Sequence, residues 1–248
     1  MDMGSFIDIL LEIFPEADRF VLIGPSATYE NGEMVSCFPL TPSQANRLLD
    51  QVIDEETSSL KHRFNQMSKQ EKAELPTFDV LISNIKSDVK THVQKVCERR
   101  LEPDESPYAC DEFGEGKMHY KQPTSLWHFY HSIGSIYESV IPILDKMVAH
   151  KEKMNPLEVF NNAKHERIRH SLINYEPSFS WHCTKTSLPA IVYHFKLDAN
   201  AFVWLSSRQD IYDFDVLDDF ALYQGDRLLF SSCTHERFCD AIGSKNPL

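Results

Sequence analysis

The hydrophobic period of this chain changes partway along its length, and that change limits the folds open to it. From Thr77 onward, Phe78, Ile82, Ile85, Val89, Val93 and Val96 advance in steps of three or four, the spacing that lines one face of a helix. Leu126, Phe129, Ile133, Ile136, Tyr137, Val140 and Leu144 repeat the pattern, with Pro142 as the expected kink. In "PAIVYHFKL" the period falls to two: Ile191, Tyr193, Phe195 and Leu197 alternate with Val192, His194 and Lys196, as in a half-buried strand. "DAN" is read as a turn into a further strand, "AFVWLSS". "FALY" and "RLLFSSC" flank Gln224-Gly225-Asp226 as a hairpin. The end of the chain is therefore expected to be an antiparallel meander, closed by a helix over "HERFCDAI".

Upstream, "MDMGSFIDILLEIF" reads as an amphipathic helix, with acidic residues where a secretion signal would carry positive charge. "DRFVLIG" and "MVSCFPL" lie on either side of Asn31-Gly32, a strong turn signal, and predict a hairpin. Thr41-Pro42-Ser43-Gln44 has the residues of a capping box with Pro at the first helical position; Ser68 and Glu71 offer a second box. "NPLEVFNNAKHERIRHSL" is expected to form another helix, capped by Asn155. The fold class that results is α+β: an antiparallel sheet, made of the N-terminal hairpin and the C-terminal meander, packed with a central helical layer or insertion. The expected segments are 1–76, 77–173 and 174–248, within one compact unit.

Charge and cysteine content limit the function classes. The formal charge of −12 sets the surface against a phosphate backbone, so nucleic acid would need a local basic helix, while a basic protein partner is favoured. No apolar span reaches membrane length. The 6 cysteines are scattered without a Cys-x-x-Cys pair, which points to reduced thiols and a cytoplasmic setting. There is no phosphate-binding glycine loop, no Gly-x-Ser-x-Gly elbow and no His-Glu-x-x-His helix.

Four constellations carry possible chemistry. His165, Arg169 and His170 are candidate catalytic residues for phosphodiester hydrolysis: an imidazole can accept a proton, a guanidinium can stabilise phosphate charge, and His165 and Arg169 share a helical face at i, i+4. With its neighbours in "NNAKHERIRH", this segment is similar to the helical ribonucleases of the higher-eukaryote-and-prokaryote nucleotide-binding class, which use an Arg and a His from one helix. The resemblance covers one helix, and here Arg169 and His170 are adjacent rather than spaced. His128 and His131 stand at i, i+3 and are candidate ligands for a divalent metal. Asp104 followed by Glu115-Gly116-Lys117 resembles a nuclease metal signature, although its context is a polar loop. Asp210, Asp213, Asp215, Asp218 and Asp219 form an acidic stretch suited to a basic partner, with Asp213 and Asp215 on one strand face.

The stretch "CTHERF" places Cys233, Thr234, His235 and Glu236 in sequence. It is read as a strand-to-helix joint with Thr234 as the cap rather than a thiol–imidazole site. The leading functional expectation is a non-catalytic interaction, inhibitor or immunity factor acting through the acidic surface. The alternative is an RNase-like hydrolase built on the 156–172 helix.

Overall fold

The computed structural model describes residues 6–73, 75–97, 127–182, 184–208 and 210–241. In chain order these form α1 (Phe6–Ile13), β1 (Arg19–Pro25), β2 (Ala27–Glu30), β3 (Glu33–Cys37), α2 (Pro42–Gln66), α3 (Lys69–Ala73), α4 (Phe78–Cys97) and α5 (Trp127–Ser135). There follow a π-helical turn (Ile136–Val140), α6 (Ile141–Ala149), a 3₁₀ turn (Glu158–Asn161) and α7 (Glu166–Arg169). The chain then forms β4 (Leu172–Trp181), β5 (Thr184–Lys196), α8 (Ala199–Ser206), β6 (Asp218–Gln224), β7 (Arg227–Cys233) and β8 (Phe238–Ala241). The fold is α+β, and the contacts divide it into two units: Met1–Pro39 with His150–Leu248, and Leu40–Ala149.

The Leu40–Ala149 unit is helical. α2 begins at a capping box in which Gln44 N–H donates to Thr41 Oγ1 (3.3 Å) and Thr41 N–H to Gln44 Oε1 (2.9 Å). Ser68 and Glu71 make the second box, at 2.8 and 3.3 Å. Phe78, Leu81, Ile82, Ile85 and Val89 of α4 pack with Leu60, Phe129 and Ile133, so the period read from the sequence is the buried face as far as Val89; the side chains of Val93 and Val96 lie outside the described residues. Pro142 has no N–H to donate, and the ladder widens to the π-helical turn just before it.

The other unit is a six-stranded antiparallel sheet in the order β4-β5-β1-β6-β7-β8, with β2 and β3 as a separate hairpin. The Asn31-Gly32 turn forms, with φ of 50° and 82°, but it joins β3 to β2 rather than to β1. β1 is freed to enter the sheet between β5 and β6, where Phe20 lies opposite Phe195 and Leu222. That inner face is aromatic: Phe20 stacks on Phe195 at 4.9 Å and Phe214 on Phe220 at 5.6 Å, while Phe160 meets Tyr193 edge-on at 5.2 Å. The outer face carries a smaller cluster of Val21, Ile23 and Val192 under Trp181, Ala190 and Tyr223.

Three further sequence-based expectations are corrected. "AFVWLSS" is α8, because Asp198 Oδ1 accepts from the N–H groups of Asn200 (3.0 Å) and Ala201 (3.1 Å) and nucleates a helix that buries Trp204 and Leu205. "NPLEVFNNAKHERIRHSL" is not one helix: Asn162 takes extended backbone, and its side chain accepts from His165 N–H at 3.0 Å, separating the 3₁₀ turn from α7. Of "HERFCDAI", residues 235–241 form a turn and β8, with Cys233 opposite Phe238, because pairing with the edge of β7 competes successfully with the local helical signal; Ile242 lies outside the described residues.

Candidate functional site

Asp219 joins three loops at one end of the sheet. It lies in a bulge of β6, since Val21 pairs with Ala221 and Ile23 with Asp218, and its φ is 45°. With 1% of its surface exposed, its carboxylate accepts from Trp181 Nε1–H at 2.8 Å and from Thr234 N–H at 2.7 Å. Its own N–H donates to Thr234 Oγ1 at 3.0 Å. Trp181 ends β4, Thr234 opens the turn between β7 and β8, and Asp219 follows the 207–217 loop, so one buried carboxylate holds all three. Thr234 thus caps a bulge rather than a helix, and His235 and Glu236 beside it are exposed.

The 207–217 loop is anchored from within. Phe214 is fully buried, stacked on Trp204 (5.8 Å) and Phe220 (5.6 Å), while its neighbours Asp213 and Asp215 are exposed and Val216 keeps 51% of its surface. They lie on a loop, not on a strand face as expected. Asp210 is partly buried, its carboxylate accepting from Tyr212 N–H at 2.7 Å. Asp218 is half-buried, which raises its carboxyl pKa although His235 Nε2, 3.9 Å away, opposes the rise.

Of the expected catalytic set, His165 is fully buried, whereas Arg169 and His170 are exposed on α7 and its end. Arg169 donates to Asn161 Oδ1 at 3.2 Å. His165 instead meets an acidic residue, its Nε2 lying 3.7 Å from Asp215 Oδ2, which also takes Lys164 Nζ at 3.2 Å. Burial depresses the His165 pKa; Arg208 adds to that, Asp215 opposes it, and Lys164 lowers it further. The structure therefore brings the buried His165 together with Asp215, while Arg169 and His170 are exposed.

A polar network on the outer sheet face escaped the sequence reading. Trp181 and Thr184 pair at the tip of the β4–β5 hairpin, where His182 takes a φ of 46°. Its Nδ1 is 2.8 Å from Tyr223 OH, and burial lowers its pKa to about 4. His194 Nδ1 lies 3.3 Å from Arg19 Nη1, which can only donate, so the neutral ring carries its proton on Nε2, 3.6 Å from Glu176. Burial and then Arg19 lower the His194 pKa against the pull of Glu176. The His182 ring is thus neutral at physiological pH, and its bond to Tyr223 ties the β4–β5 tip to β6. Period-two alternation placed His194 on the outer face; nothing local announced that the hairpin tip would reach β6.

Of the expected metal pair, His131 is exposed on α5 and the side chain of His128 lies outside the described residues, as do Asp104, Glu115 and Lys117. Among the described residues no group of three His, Cys, Asp or Glu side chains could hold a metal ion. No helix among them is long and apolar enough to cross a membrane. Comparison with protein-family models, curated proteins and solved structures finds no match for this chain.

Proposed function

We propose that this protein is a non-catalytic binding factor, of the inhibitor or immunity kind, that recognises a basic protein partner through the loops gathered at Asp219. The observation that carries the reading is the buried clamp joining Trp181, Asp219 and Thr234, which holds the loops in place before any partner arrives. Ordering a loop in advance lowers the entropic cost of binding, and rigidly based loops are common recognition elements. Asp213 and Glu236 are exposed on these loops, and the chain charge of −12 would draw a basic surface from a distance. Nearby cations already serve the unit itself: Lys164 on Asp215, Arg208 over Trp204 at 4.3 Å and Arg237 over Tyr212 at 5.5 Å.

The test is affinity capture from a native lysate across a salt series, using the wild-type chain and an Asp213→Asn/Glu236→Gln variant. A basic partner whose capture falls as salt rises, and falls again in the variant, is expected. Capture that ignores salt and the substitutions, or no capture at all, overturns the reading.

A further inference from the structure

Beside the acidic loop lies a preformed cavity of about 510 Å³, with Val216 of that loop forming part of its wall. This volume falls within the range of sites that bury a drug-sized ligand or a few residues of a peptide. Its frame is held by main-chain bonds: Cys37 N–H donates to Glu152 O at 3.3 Å, Met154 N–H to Cys37 O at 2.8 Å, and Phe38 N–H to Ser26 O at 2.6 Å.

The wall chemistry narrows what can enter. Thr28 and Ser36 are hydrogen-bonded to each other at 2.6 Å, and Tyr193 OH donates to Pro156 O at 2.7 Å. Asn155 Oδ1 accepts from Leu157 N–H, and Asn162 is engaged with His165 N–H and Val159 O. A sugar or other polar metabolite needs several convergent groups with bonding capacity to give. Here part of that capacity is already committed to the protein. What the cavity offers instead is apolar contact from Pro25, Met154, Val159 and Val216, together with the carboxylates of Glu152 and Glu158. Lys153 offsets one of those charges.

Apolar walls with exposed carboxylates suit a side chain that is aliphatic along its stem and cationic at its end. The geometry points to this cavity as the anchor pocket for an arginine-bearing segment of the basic partner, the stem lying on Met154, Val159 and Val216 and the guanidinium meeting Glu152 and Glu158. Pockets filled by one arginine or aromatic anchor commonly dominate an interface. The inference rests on the basic-partner reading above and adds where the partner's anchoring side chain goes.

The test is methyl and amide NMR titration at low salt with a capped tetra-arginine peptide, using a capped tetra-citrulline peptide as the uncharged control of similar shape. Three proteins are compared: wild type, Glu152→Gln/Glu158→Gln and Asp213→Asn. The arginine peptide is expected to shift the Met154, Val159 and Val216 methyl signals. It is expected to bind at least tenfold more weakly to the glutamine variant, and citrulline is expected to bind little. Shifts confined to the Asp213 region, unchanged in the glutamine variant, overturn the anchor pocket while leaving the acidic-surface reading intact. Citrulline binding as well as arginine overturns the cationic assignment. No binding anywhere removes both.

Discussion

Asp219 and Thr234 hold each other by two reciprocal hydrogen bonds, one from each backbone N–H to the other's side-chain oxygen, at 3.0 and 2.7 Å. The remaining carboxylate oxygen takes the indole N–H of Trp181. A single buried carboxyl thereby takes donors from two other segments, which makes it costly to remove.

Asp219→Ala is therefore expected to lower stability by about 3 kcal/mol or more, since it strips the partners from two donors at a site that is 1% exposed. Asp218→Asn serves as the neighbouring control and should change stability by no more than about 1 kcal/mol. Urea denaturation midpoints at constant m-value measure both. Equal effects from the two substitutions would show that Asp219 is not the joint of the three loops.

Stability should also fall on acidification through His182. Its folded pKa, about 4, lies below the ordinary histidine value of 6.5, so the unfolded chain takes up the proton first. The contribution is intact above pH 6.5 and lost as pH drops toward 4, a change of about 3 kcal/mol. His165 and His194, also depressed by burial, act with the same sign. In His182→Asn, which tolerates the left-handed turn but does not titrate, the slope of stability against pH between 6.5 and 4 should be shallower; an unchanged slope would exclude His182 as its source.

Gly24 permits a close approach that no other residue allows. A Cβ there would stand 2.8 Å from Cε2 of the buried Tyr193 ring and 3.3 Å from Leu217 Cδ2. Gly24→Ala should destabilise by about 1–3 kcal/mol through overpacking. It should also disturb the Tyr193 bond to Pro156, visible as a change in near-ultraviolet circular dichroism. A stability equal to wild type would mean that the ring and loop can yield at no cost.

Phe214 separates anchoring from recognition. Phe214→Leu should loosen the loop and cost about 1–3 kcal/mol, because a stacked, fully buried ring is lost from between Trp204 and Phe220. Partner capture should weaken with it. Asp213→Asn, exposed on the same loop, should leave the melting temperature within a degree or two of wild type while weakening capture. If Phe214→Leu captures partner as well as wild type, loop order is irrelevant to binding.

Legibility from the sequence followed the range of the interactions concerned. The Thr41–Gln44 box, the Ser68–Glu71 box, the Asn31-Gly32 turn and the buried face of α4 were all readable, because each depends on residues a few positions apart. Errors arose where a local signal met a distant competitor. "HERFCDAI" has helical features, yet the free edge of β7 takes it as β8. "AFVWLSS" is an apolar run after an apparent turn, yet Asp198 caps it into a helix whose Trp204 closes over Phe214.

The acidic stretch and the net charge of −12 were apparent as composition, and so was the alternation that puts His194 outside and Tyr193 inside. Which carboxylates remain available for a partner was not. Asp219 is consumed by Trp181 and Thr234, Asp210 by its own loop and Asp215 by Lys164, while Asp213 stays exposed. Periodicity and capping are short-range and are written into neighbouring residues. Pairing a charge with an indole 38 positions away depends on where the strands cross, which follows from burying the aromatic face as a whole.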